Sequence, residues 1–344
     1  MKRLLPASLA FFAIALLFNS HAHTAPLNNN LCGGNPCLQI GSFNIEFLGD
    51  TQRTHYWDGK QYKLEPRTQN EVKQIAGMIF QTLGLEVVVL EEIDTGSQRY
   101  AWLKESLGQV GYKFLEGTNS ENKQFVVVAY KDDEIQLGSW GELEVPNEFS
   151  IPVDFQHEPC AAEGQRRPLA ATFKAKKGKF DFMLVGVHLK SQRDGDCSHI
   201  IRRQQAEDLV AALKVHPWLK KEKDVIIVGD FNAALEDTPP FTTASKGEIG
   251  SLRPLTTIGF VDLCAAVHRA PDSSTFSYLP RPYRGVIDHL MVVPKATTEY
   301  HKGSTIIHKV PDDKLNPKDH KSYYDIVSDH APVYASFRID LDDD

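Results

Sequence analysis

The chain has 344 residues, of which 42% are hydrophobic and 24% are charged. This is an ordinary globular composition, and no repeat or low-complexity tract follows the first thirty residues. Residues 38–340 are therefore expected to form one domain, although the length also allows two domains of ordinary size. The net charge of −7 argues against tight, sequence-nonspecific binding of DNA through a basic surface.

The N-terminus has the pattern of an export signal. Lys2 and Arg3 precede an apolar run over residues 9–18, and polar residues follow before a cleavage point after Ala22. The run is shorter than the roughly 20 apolar residues that span a bilayer. We expect residues 1–22 to be a signal peptide followed by an N-terminal segment, residues 23–37. The mature protein is then secreted or periplasmic, without stable membrane insertion; an uncleaved anchor or a buried helix is the alternative.

The five cysteines fit an oxidising compartment. Cys32 and Cys37 flank a turn-forming GGNP sequence, while Cys160 and Cys197 lie in polar loops. We predict a disulfide within each of these pairs, and a buried thiol at Cys264, which lies in an apolar stretch. A zinc site is the alternative, but no CxxC or HxxxH pair accompanies the cysteines.

The first half of the chain alternates predicted strands and helices. Period-two and β-branched patterns predict strands at residues 38–47, 86–90 and 125–130. Apolar residues at helical spacing predict helices at residues 68–81, with Thr68 as N-cap, and 97–107.

The second half repeats the alternation. A basic turn joins two strands into a hairpin, an amphipathic helix follows, and three further strands complete the chain. The strands are predicted at residues 169–173, 180–188, 224–228, 287–293 and 331–339, and the helix at 200–213. Interleaved strands and helices predict an α/β (α+β) fold in which sheets are covered by helices, a layered sandwich.

Polar residues gather where the predicted strands end, which is where α/β proteins place reacting groups. They are Asn44, Glu92, His188, Asp230, Asn232, Asp288, Asp329 and His330. Each has an ordinary alternative, such as a surface carboxylate or a turn residue. Their shared placement is what indicates a functional site.

These residue types suit metal-assisted hydrolysis of a phosphodiester. Mg²⁺, or Mn²⁺ or Ca²⁺, prefers oxygen ligands, here Glu92 with help from Asn44, Asp230 or Asp329. A histidine poised near neutral pH accepts the proton of the attacking water, and an aspartate such as Asp288 orients a histidine tautomer. No nucleophilic serine or cysteine motif is present, so direct attack by water is expected.

The motifs SFNIEF, VVLEEID, HLKSQ, VGDFNA, GVIDHL and SDHAPV occur in the order and spacing of the endonuclease/exonuclease/phosphatase superfamily. The chain resembles that superfamily, which includes the pancreatic-type deoxyribonucleases, over residues 38–338. The resemblance implies a four-layered α/β sandwich with two central mixed β-sheets flanked by helices. One departure is Glu91, where the family commonly has glutamine before its metal-binding glutamate. The ligand is still assigned to Glu92, because Glu91 continues the strand.

The resemblance also implies roles for the metal and the base. Asn44 and Glu92 hold the metal, and Asp329 is counted with them as a metal ligand. His330 is the general base that activates water, polarised by Asp288 or Asp329.

The remaining roles concern the phosphate. By resemblance, His188 and Asn232 hold the scissile phosphate, and Asp230 orients the water or protonates the leaving oxygen. Weaker candidates for phosphate contacts are Arg167 and Arg284, with their neighbours Arg166 and Arg281; ordinary solvated charges are the alternative.

Three functions follow from this pattern. The first is a secreted DNA/RNA endonuclease with nucleic acid as substrate, acting as a monomer. The second keeps the chemistry but acts on a phospholipid or inositol-phosphate headgroup, like a sphingomyelinase. The third is an inactive secreted interaction protein, which is disfavoured because Glu92 and the Asp329-His330 pair are present.

Overall fold

A computed structural model describes most of the chain. The described residues are 32–57, 60–118, 123–146, 148–151, 160–162, 165–192, 196–220, 222–234, 250–268, 275–280, 284–310 and 322–342. The predicted signal peptide and Arg281 lie outside them. Within these ranges, no helix combines the length and the apolar character needed to cross a membrane.

The strands are numbered in chain order. They are β1 (Cys37–Leu48), β2 (Arg53–Trp57), β3 (Lys60–Leu64), β4 (Val87–Ile93), β5 (Tyr112–Glu116), β6 (Phe125–Lys131), β7 (Ile135–Glu142), β8 (Phe149–Ile151), β9 (Cys160–Ala162), β10 (Leu169–Ala175), β11 (Asp181–His188), β12 (Val225–Asp230), β13 (Val261–Asp262), β14 (Asp288–Val292), β15 (Ile306–Ile307) and β16 (Val333–Arg338). The helices are α1 (Gln69–Gly77), α2 (Gln98–Gly108), α3 (Asp196–Val215), α4 (Arg253–Thr257), α5 (Cys264–His268) and α6 (Tyr323–Ile326). A π-helical turn, Met78–Leu83, continues α1, and a 3₁₀ turn, Pro217–Lys220, follows α3.

Two six-stranded mixed sheets form the centre of the molecule. The first has the order β15-β16-β1-β4-β6-β5 and the second the order β13-β14-β12-β11-β10-β7. In each sheet one pair of strands is parallel, β1 with β4 and β11 with β12. Their inner faces pack together through residues such as Ile40, Val89, Leu184 and Val228.

Helices cover the outer face of each sheet. Helices α1 and α2 pack on the first sheet through Ile75 and Leu103, and α3 packs on the second sheet through Leu209 and Leu213. The layer order is therefore helix, sheet, sheet, helix, which confirms the predicted four-layered α/β sandwich. Burial of these apolar stripes is what the helical spacing in the sequence predicts.

Helix α1 begins where the sequence predicts. The Thr68 side chain accepts a hydrogen bond from Glu71 N, and the Glu71 carboxylate accepts one from Thr68 N, so the pair forms a capping box. The predicted helix extends to residue 81, but regular α-helix ends at Gly77 and the chain continues as the π-helical turn.

The cysteines follow the prediction in part. Cys160 and Cys197 form the predicted disulfide, and Cys264 is a buried free thiol as predicted. The predicted Cys32–Cys37 disulfide is wrong for this structure, in which both residues are free cysteines. Both residues are thiols in the structure, and Gln39 Nε2 donates to Cys37 Sγ at 3.9 Å.

Candidate active site

A row of three polar side chains crosses the second sheet. His188 lies opposite Asp230 in the parallel β11–β12 pair, and Asp230 lies opposite Asp288 in the antiparallel β12–β14 pair. Directly opposed residues on neighbouring strands point to the same face of a sheet, so strand register brings these side chains together. All three are buried, and His188 Nε2 is 3.6 Å from Asp230 Oδ2.

Gly229 allows β11 and β12 to approach at this point. A Cβ atom on Gly229 would lie 1.9 Å from the carbonyl oxygen of Val187, so no larger residue fits without backbone movement. The close approach that glycine permits here is between neighbouring strands, since Gly229 pairs with Val187.

A β-bulge in β4 turns Glu92 toward the row. Val89 faces the second sheet and Leu90 faces the helices, so a regular strand would point Glu91 at the second sheet and Glu92 at the helices. The ladder with β6 is irregular between Leu90 and Ile93, and Glu92 has a left-handed backbone with φ of 61°. This bulge re-aims the side chain, so Glu91 and Glu92 lie on the same side of the sheet.

Three donors hold the Glu92 carboxylate in place. Oε1 accepts from Asn44 Nδ2 at 3.2 Å, while Oε2 accepts from Phe47 N at 3.1 Å and Gln124 Nε2 at 2.8 Å. His188 Nε2 lies 3.9 Å from Oε1, and the Glu92 side chain is 21% exposed. Glu92 is thus a fixed carboxylate at the mouth of the site.

Asn44 and Asn232 link the carboxylates to the backbone. Asn44 Nδ2 donates to Asp230 Oδ2 at 3.0 Å as well as to Glu92. Asn232 N donates to Asp230 Oδ1 at 2.8 Å, and Asn232 Nδ2 donates to Asp230 Oδ2 and to the carbonyl of Leu189, both at 3.1 Å. These contacts fix the Asp230 carboxylate from both sides of the site.

His330 and Asp288 form a buried pair. His330 Nδ1 lies 2.8 Å from Asp288 Oδ2, and the Tyr278 ring packs edge-on against the imidazole. His330 N donates to Ser328 Oγ at 2.9 Å, and that hydroxyl donates to the Asn44 carbonyl at 2.7 Å. With Nδ1 directed at the carboxylate, Nε2 is left to exchange a proton with a substrate or water.

Opposing effects set the protonation of His330. Burial lowers the pKa of His330, but the charge and hydrogen bond of Asp288, with the charges of Asp329 and Asp230, raise it well above its usual value. The protein groups alone therefore do not give His330 the near-neutral pKa that is expected of a general base. A divalent cation beside these carboxylates opposes their field, which favours the neutral imidazole.

Two buried carboxyl groups near His330, those of Asp230 and Glu91, have pKa values above their usual range. Burial, reinforced by Asp288, raises the pKa of Asp230 to about 7. Burial also raises the pKa of Glu91 well above its usual value, although Ser42 Oγ donates to Glu91 Oε1 at 2.7 Å. Several carboxyl groups packed together in a dry site cannot all be charged without a compensating cation.

His188 is neutral. Burial, the charge of Arg166 and the charge of His330 lower the pKa of His188 well below its usual value. Arg166 Nε donates to the His188 carbonyl and Arg166 Nη1 donates to Gln124 Oε1, both at 3.1 Å. Arg166 therefore lies behind the site, where it orients the groups that contact Glu92.

A divalent cation is implied by these acids, and the donor set fits it. The carboxylates of Glu92 and Asp230 converge on the Asn44 amide and on His188 Nε2, giving an oxygen-rich point of negative potential that a hard cation prefers. Glu92 and Asp230 would hold the ion, and Asn44 would join them through Oδ1 after a turn of its amide, whose Nδ2 faces both carboxylates here. Asp329 lies beside the base, with Oδ1 at 3.9 Å from His330 Nε2.

A second set of potential ligands overlaps the first. Ligand atoms of Asp230, Asp288 and His330 all lie within 4.8 Å of one another. Because His330 Nδ1 is already hydrogen-bonded to Asp288, we assign that pair to proton transfer rather than to metal binding.

The two predicted arginine contacts have protein partners. Arg167 Nη1 lies 3.8 Å from Glu144 Oε2, and Arg284 Nε donates to the Leu279 carbonyl at 2.9 Å. A role for either in binding phosphate stays a prediction.

The sequence reasoning missed residues that support the site. Gln124 directly precedes β6. It is therefore a polar residue at a strand terminus, as most of the predicted residues are, and a search for such residues could have found it. Ser328 is inside the SDHAPV motif, but nothing in the sequence shows that its hydroxyl joins Asn44 to His330. Ser277 Oγ accepts from Ile287 N and Asp288 N and has no such signal.

Comparison with known proteins identifies the family to which the chain belongs. A sequence model of the Endonuclease/Exonuclease/phosphatase family matches residues 41–330, and the chain belongs to that family. Its members hydrolyse phosphoester bonds. No curated protein matches the chain in sequence.

Solved structures have a similar fold at low sequence identity. The human nocturnin catalytic domain with bound sulfate has a TM-score of 0.55 at 16% identity, covering 88% of this chain and 94% of that chain. A D. rerio TDP2 complexed with a single-strand DNA product has a TM-score of 0.54 at 16% identity, covering 88% and 99%. A Bacteroides thetaiotaomicron mannosyl-6-phosphatase has a TM-score of 0.51 at 16% identity, covering 87% and 98%. These similarities support the fold and leave the substrate open.

Proposed function

We propose that this protein is a secreted, divalent-metal-dependent phosphodiesterase that cleaves DNA or RNA as an endonuclease. The observation that carries the proposal is the His330–Asp288 pair, which lies next to Asp230 and across the site from the fixed carboxylate of Glu92. A base, a cation-binding carboxylate and neutral donors thus surround one point. That arrangement suits hydrolysis of a phosphodiester by water.

The residues divide the reaction between them. Glu92 and Asn44 would hold a Mg²⁺, Mn²⁺ or Ca²⁺ ion, which would supply positive charge to the phosphoryl oxygens. His330 Nε2 takes the proton of the attacking water while Asp288 holds the imidazole and stabilises its charged form. Neutral His188 donates to phosphate oxygens as negative charge grows. Asn232 Nδ2, which bonds Asp230 and the Leu189 carbonyl in this structure, would exchange one of these bonds for a phosphate oxygen. Asp230 can orient the attacking water or, where it is not bound to the ion, give a proton to the leaving oxygen.

Support for the nucleic-acid substrate comes from the fold and the chemistry. The D. rerio TDP2 structure contains a single-strand DNA product, so this fold can hold a nucleic acid. The opposing observation is the net charge of −7, since long nucleic acids attract basic surfaces. We therefore favour short or flexible nucleic acids over long duplex DNA.

A smaller phosphoester is the second candidate. The same charge argument and the mannosyl-6-phosphatase neighbour favour it. A phospholipid or inositol-phosphate headgroup belongs to this class. An inactive interaction protein is disfavoured, because the His330–Asp288 pair and the Glu92 contacts are intact.

Secretion is supported by two independent features. The first residues have the pattern of a signal peptide, and the Cys160–Cys197 disulfide is of a kind that persists in oxidising compartments. We propose cleavage after Ala22 and a monomeric mature protein. N-terminal sequencing of exported protein tests the first claim, and light scattering tests the second.

A substrate panel tests the function. The purified mature protein is assayed on plasmid DNA, RNA, a dinucleotide, sphingomyelin, an inositol phosphate and mannose 6-phosphate, each with Mg²⁺, Mn²⁺, Ca²⁺ or a chelator. The proposal expects the highest metal-dependent kcat/KM on a nucleic acid, and a kcat about 10²–10⁴-fold lower after His330→Ala. Preference for a headgroup or a phosphomonoester supports the second candidate, while no turnover of any substrate contradicts both.

A further inference from the structure

Arg67 is buried beneath the site and takes no direct part in the proposed reaction. It lies just before α1, and its guanidinium has all five N–H groups within hydrogen-bonding distance of backbone carbonyls. The bonds are Nε to Ile326 O at 3.0 Å, Nη1 to Glu46 O at 3.2 Å and Phe47 O at 3.3 Å, and Nη2 to Ile45 O and Val327 O at 2.7 Å. The acceptors belong to two segments far apart in sequence, residues 45–47 and 326–327.

The first segment positions the metal-binding residues. Phe47 N donates to Glu92 Oε2 at 3.1 Å, and Glu46 N donates to Asn44 Oδ1 at 2.9 Å. Any shift of residues 45–47 therefore moves the donors that orient both proposed ligands.

The second segment positions the base. Ser328 directly follows Val327, and its hydroxyl accepts from His330 N. The Tyr323 hydroxyl, on the helix that ends at Ile326, donates to the His330 carbonyl at 3.0 Å. Displacement of residues 326–327 is therefore transmitted to His330 through the backbone and these two hydrogen bonds.

The first segment needs an external support. Glu46 and Phe47 have left-handed backbones, with φ of 50° and 48°, a conformation that costs energy for residues other than glycine. The turned carbonyls of these residues point at Arg67. Arg53 adds to the support, because its Nη1 contacts Glu46 Oε2 at 2.7 Å and its Nη2 donates to the Asp325 carbonyl at 2.6 Å.

We propose that Arg67 is a positioning residue that fixes the end of β1 and the segment before His330 relative to each other, and so sets the distance between metal and base. The inference rests on the proposed function for its catalytic consequence. Lysine cannot replace arginine in this role, since its ammonium group has three donors and cannot span two segments with a planar fork.

Arg67→Lys tests the proposal against a matched core variant. Leu107→Ala in α2 also opens a buried position beside the first sheet, but the aliphatic Leu107 side chain makes no hydrogen bond to either segment. Both variants are compared with wild type well below their melting temperatures. We expect Arg67→Lys to speed hydrogen exchange at Phe47 N and His330 N, to weaken Mn²⁺ binding in calorimetry roughly 10- to 100-fold, and to lower kcat by a similar factor with little change in KM. Leu107→Ala is expected to leave these readouts near wild type.

A second variant separates positioning from bulk stability. Arg67→Ala is assayed with and without millimolar guanidinium chloride, which can occupy the vacated volume and supply the same planar donors. Recovery of kcat and of Mn²⁺ affinity by guanidinium, and not by equal ionic strength of sodium chloride, supports the proposal.

Three results overturn it. They are unchanged exchange, metal affinity and kcat in Arg67→Lys; equal losses in Arg67→Lys and Leu107→Ala; and failure of both Arg67 variants to fold, which would make Arg67 a requirement for folding only. If the wild type cleaves no phosphoester, the proposed function fails while hydrogen exchange and Mn²⁺ affinity still decide the role of Arg67.

Discussion

Among single residues, the imidazole of His330 is the group on which the proposed reaction depends. Replacing a positioned general base lowers the rate by about 10²–10⁴-fold. We predict that His330→Ala lowers kcat by that factor and leaves divalent-metal affinity nearly intact, because Glu92 and Asn44 are unaltered. Initial rates and titration calorimetry measure the two quantities. His216→Ala, at a histidine that packs on Trp218 beyond the end of α3, is the control.

The assignment of the base is contradicted if His330→Ala keeps a near-wild-type kcat. A loss of metal affinity as large as the loss of rate would also contradict it, since His330 would then be a ligand.

Glu92 allows a complementary test of the metal site. We predict that Glu92→Gln folds normally but loses most of its Mg²⁺ and Mn²⁺ affinity, because the amide keeps the size of the side chain and removes its charge. Calorimetry on the variant and the wild type gives the comparison, and far-UV circular dichroism checks the fold. Unchanged affinity would move the metal to another set of carboxylates.

Most residues of the site could be predicted from the sequence, and the supporting residues could not. His188 and Asp230 end the apolar strands β11 and β12, and Asn44 interrupts the apolar run of β1, so local pattern alone marks them. Arg67 has no such mark, because its five acceptors come from segments up to 260 residues away. Long-range contacts of this kind depend on tertiary packing that a single sequence does not display.

At the scale of secondary-structure elements, the pairing of β1 with β4 contains a titratable group. The Glu86 carboxylate, just before β4, accepts from Gln39 N in β1, and burial raises the pKa of Glu86 to about 7. In the unfolded chain its pKa is about 4.3. Between these values the folded state binds more protons, so the contribution of Glu86 to the free energy of unfolding falls as pH rises, and levels off above pH 7.

Glu86→Gln should remove this pH dependence while keeping a hydrogen-bond acceptor for Gln39 N. We predict stability close to wild type near pH 5, and greater stability by on the order of 2 kcal/mol near pH 8. Urea denaturation at the two pH values measures the difference, with the exposed Glu105→Gln as control. An equal difference at both pH values would show that Glu86 does not carry a raised pKa.

The elements themselves were predictable from hydrophobic pattern, but their irregularities were not. Period-two and helical spacing predicted β1, β4, α2 and α3 to within a few residues. The bulge that re-aims Glu92 and the π-helical turn after α1 break those periods. Such features cost local energy that packing elsewhere must offset, so a local pattern does not indicate them.

At the scale of the whole molecule, the Cys160–Cys197 disulfide ties β9 to the start of α3, closing a sequence separation of 37 residues. A link of that length stabilises a protein by about 3–4 kcal/mol through the restricted unfolded chain. We predict that the double variant Cys160→Ser/Cys197→Ser lowers the melting temperature and keeps kcat, since the cross-link is not part of the proposed site. Calorimetry and non-reducing peptide mapping test this, and an unchanged melting temperature would contradict it.

The layered fold was predictable because alternating strands and helices allow few ways to bury both sheet faces. The substrate was not predictable, because one fold supports many substrates. The net charge disfavours long nucleic acids, whereas the chemistry of the site permits them.

Hydrolysis of a phosphodiester by water, with a divalent metal and His330 as base, can be followed in a single labelled turnover. A dinucleotide is incubated with excess enzyme in ¹⁸O-water, either with Mg²⁺ or with a chelator. Mass spectrometry then measures the ¹⁸O content of the product. We predict metal-dependent cleavage with one ¹⁸O in the product phosphate for the wild type, and neither result for His330→Ala on the same timescale. Cleavage that persists in chelator, or product phosphate without ¹⁸O, would contradict it.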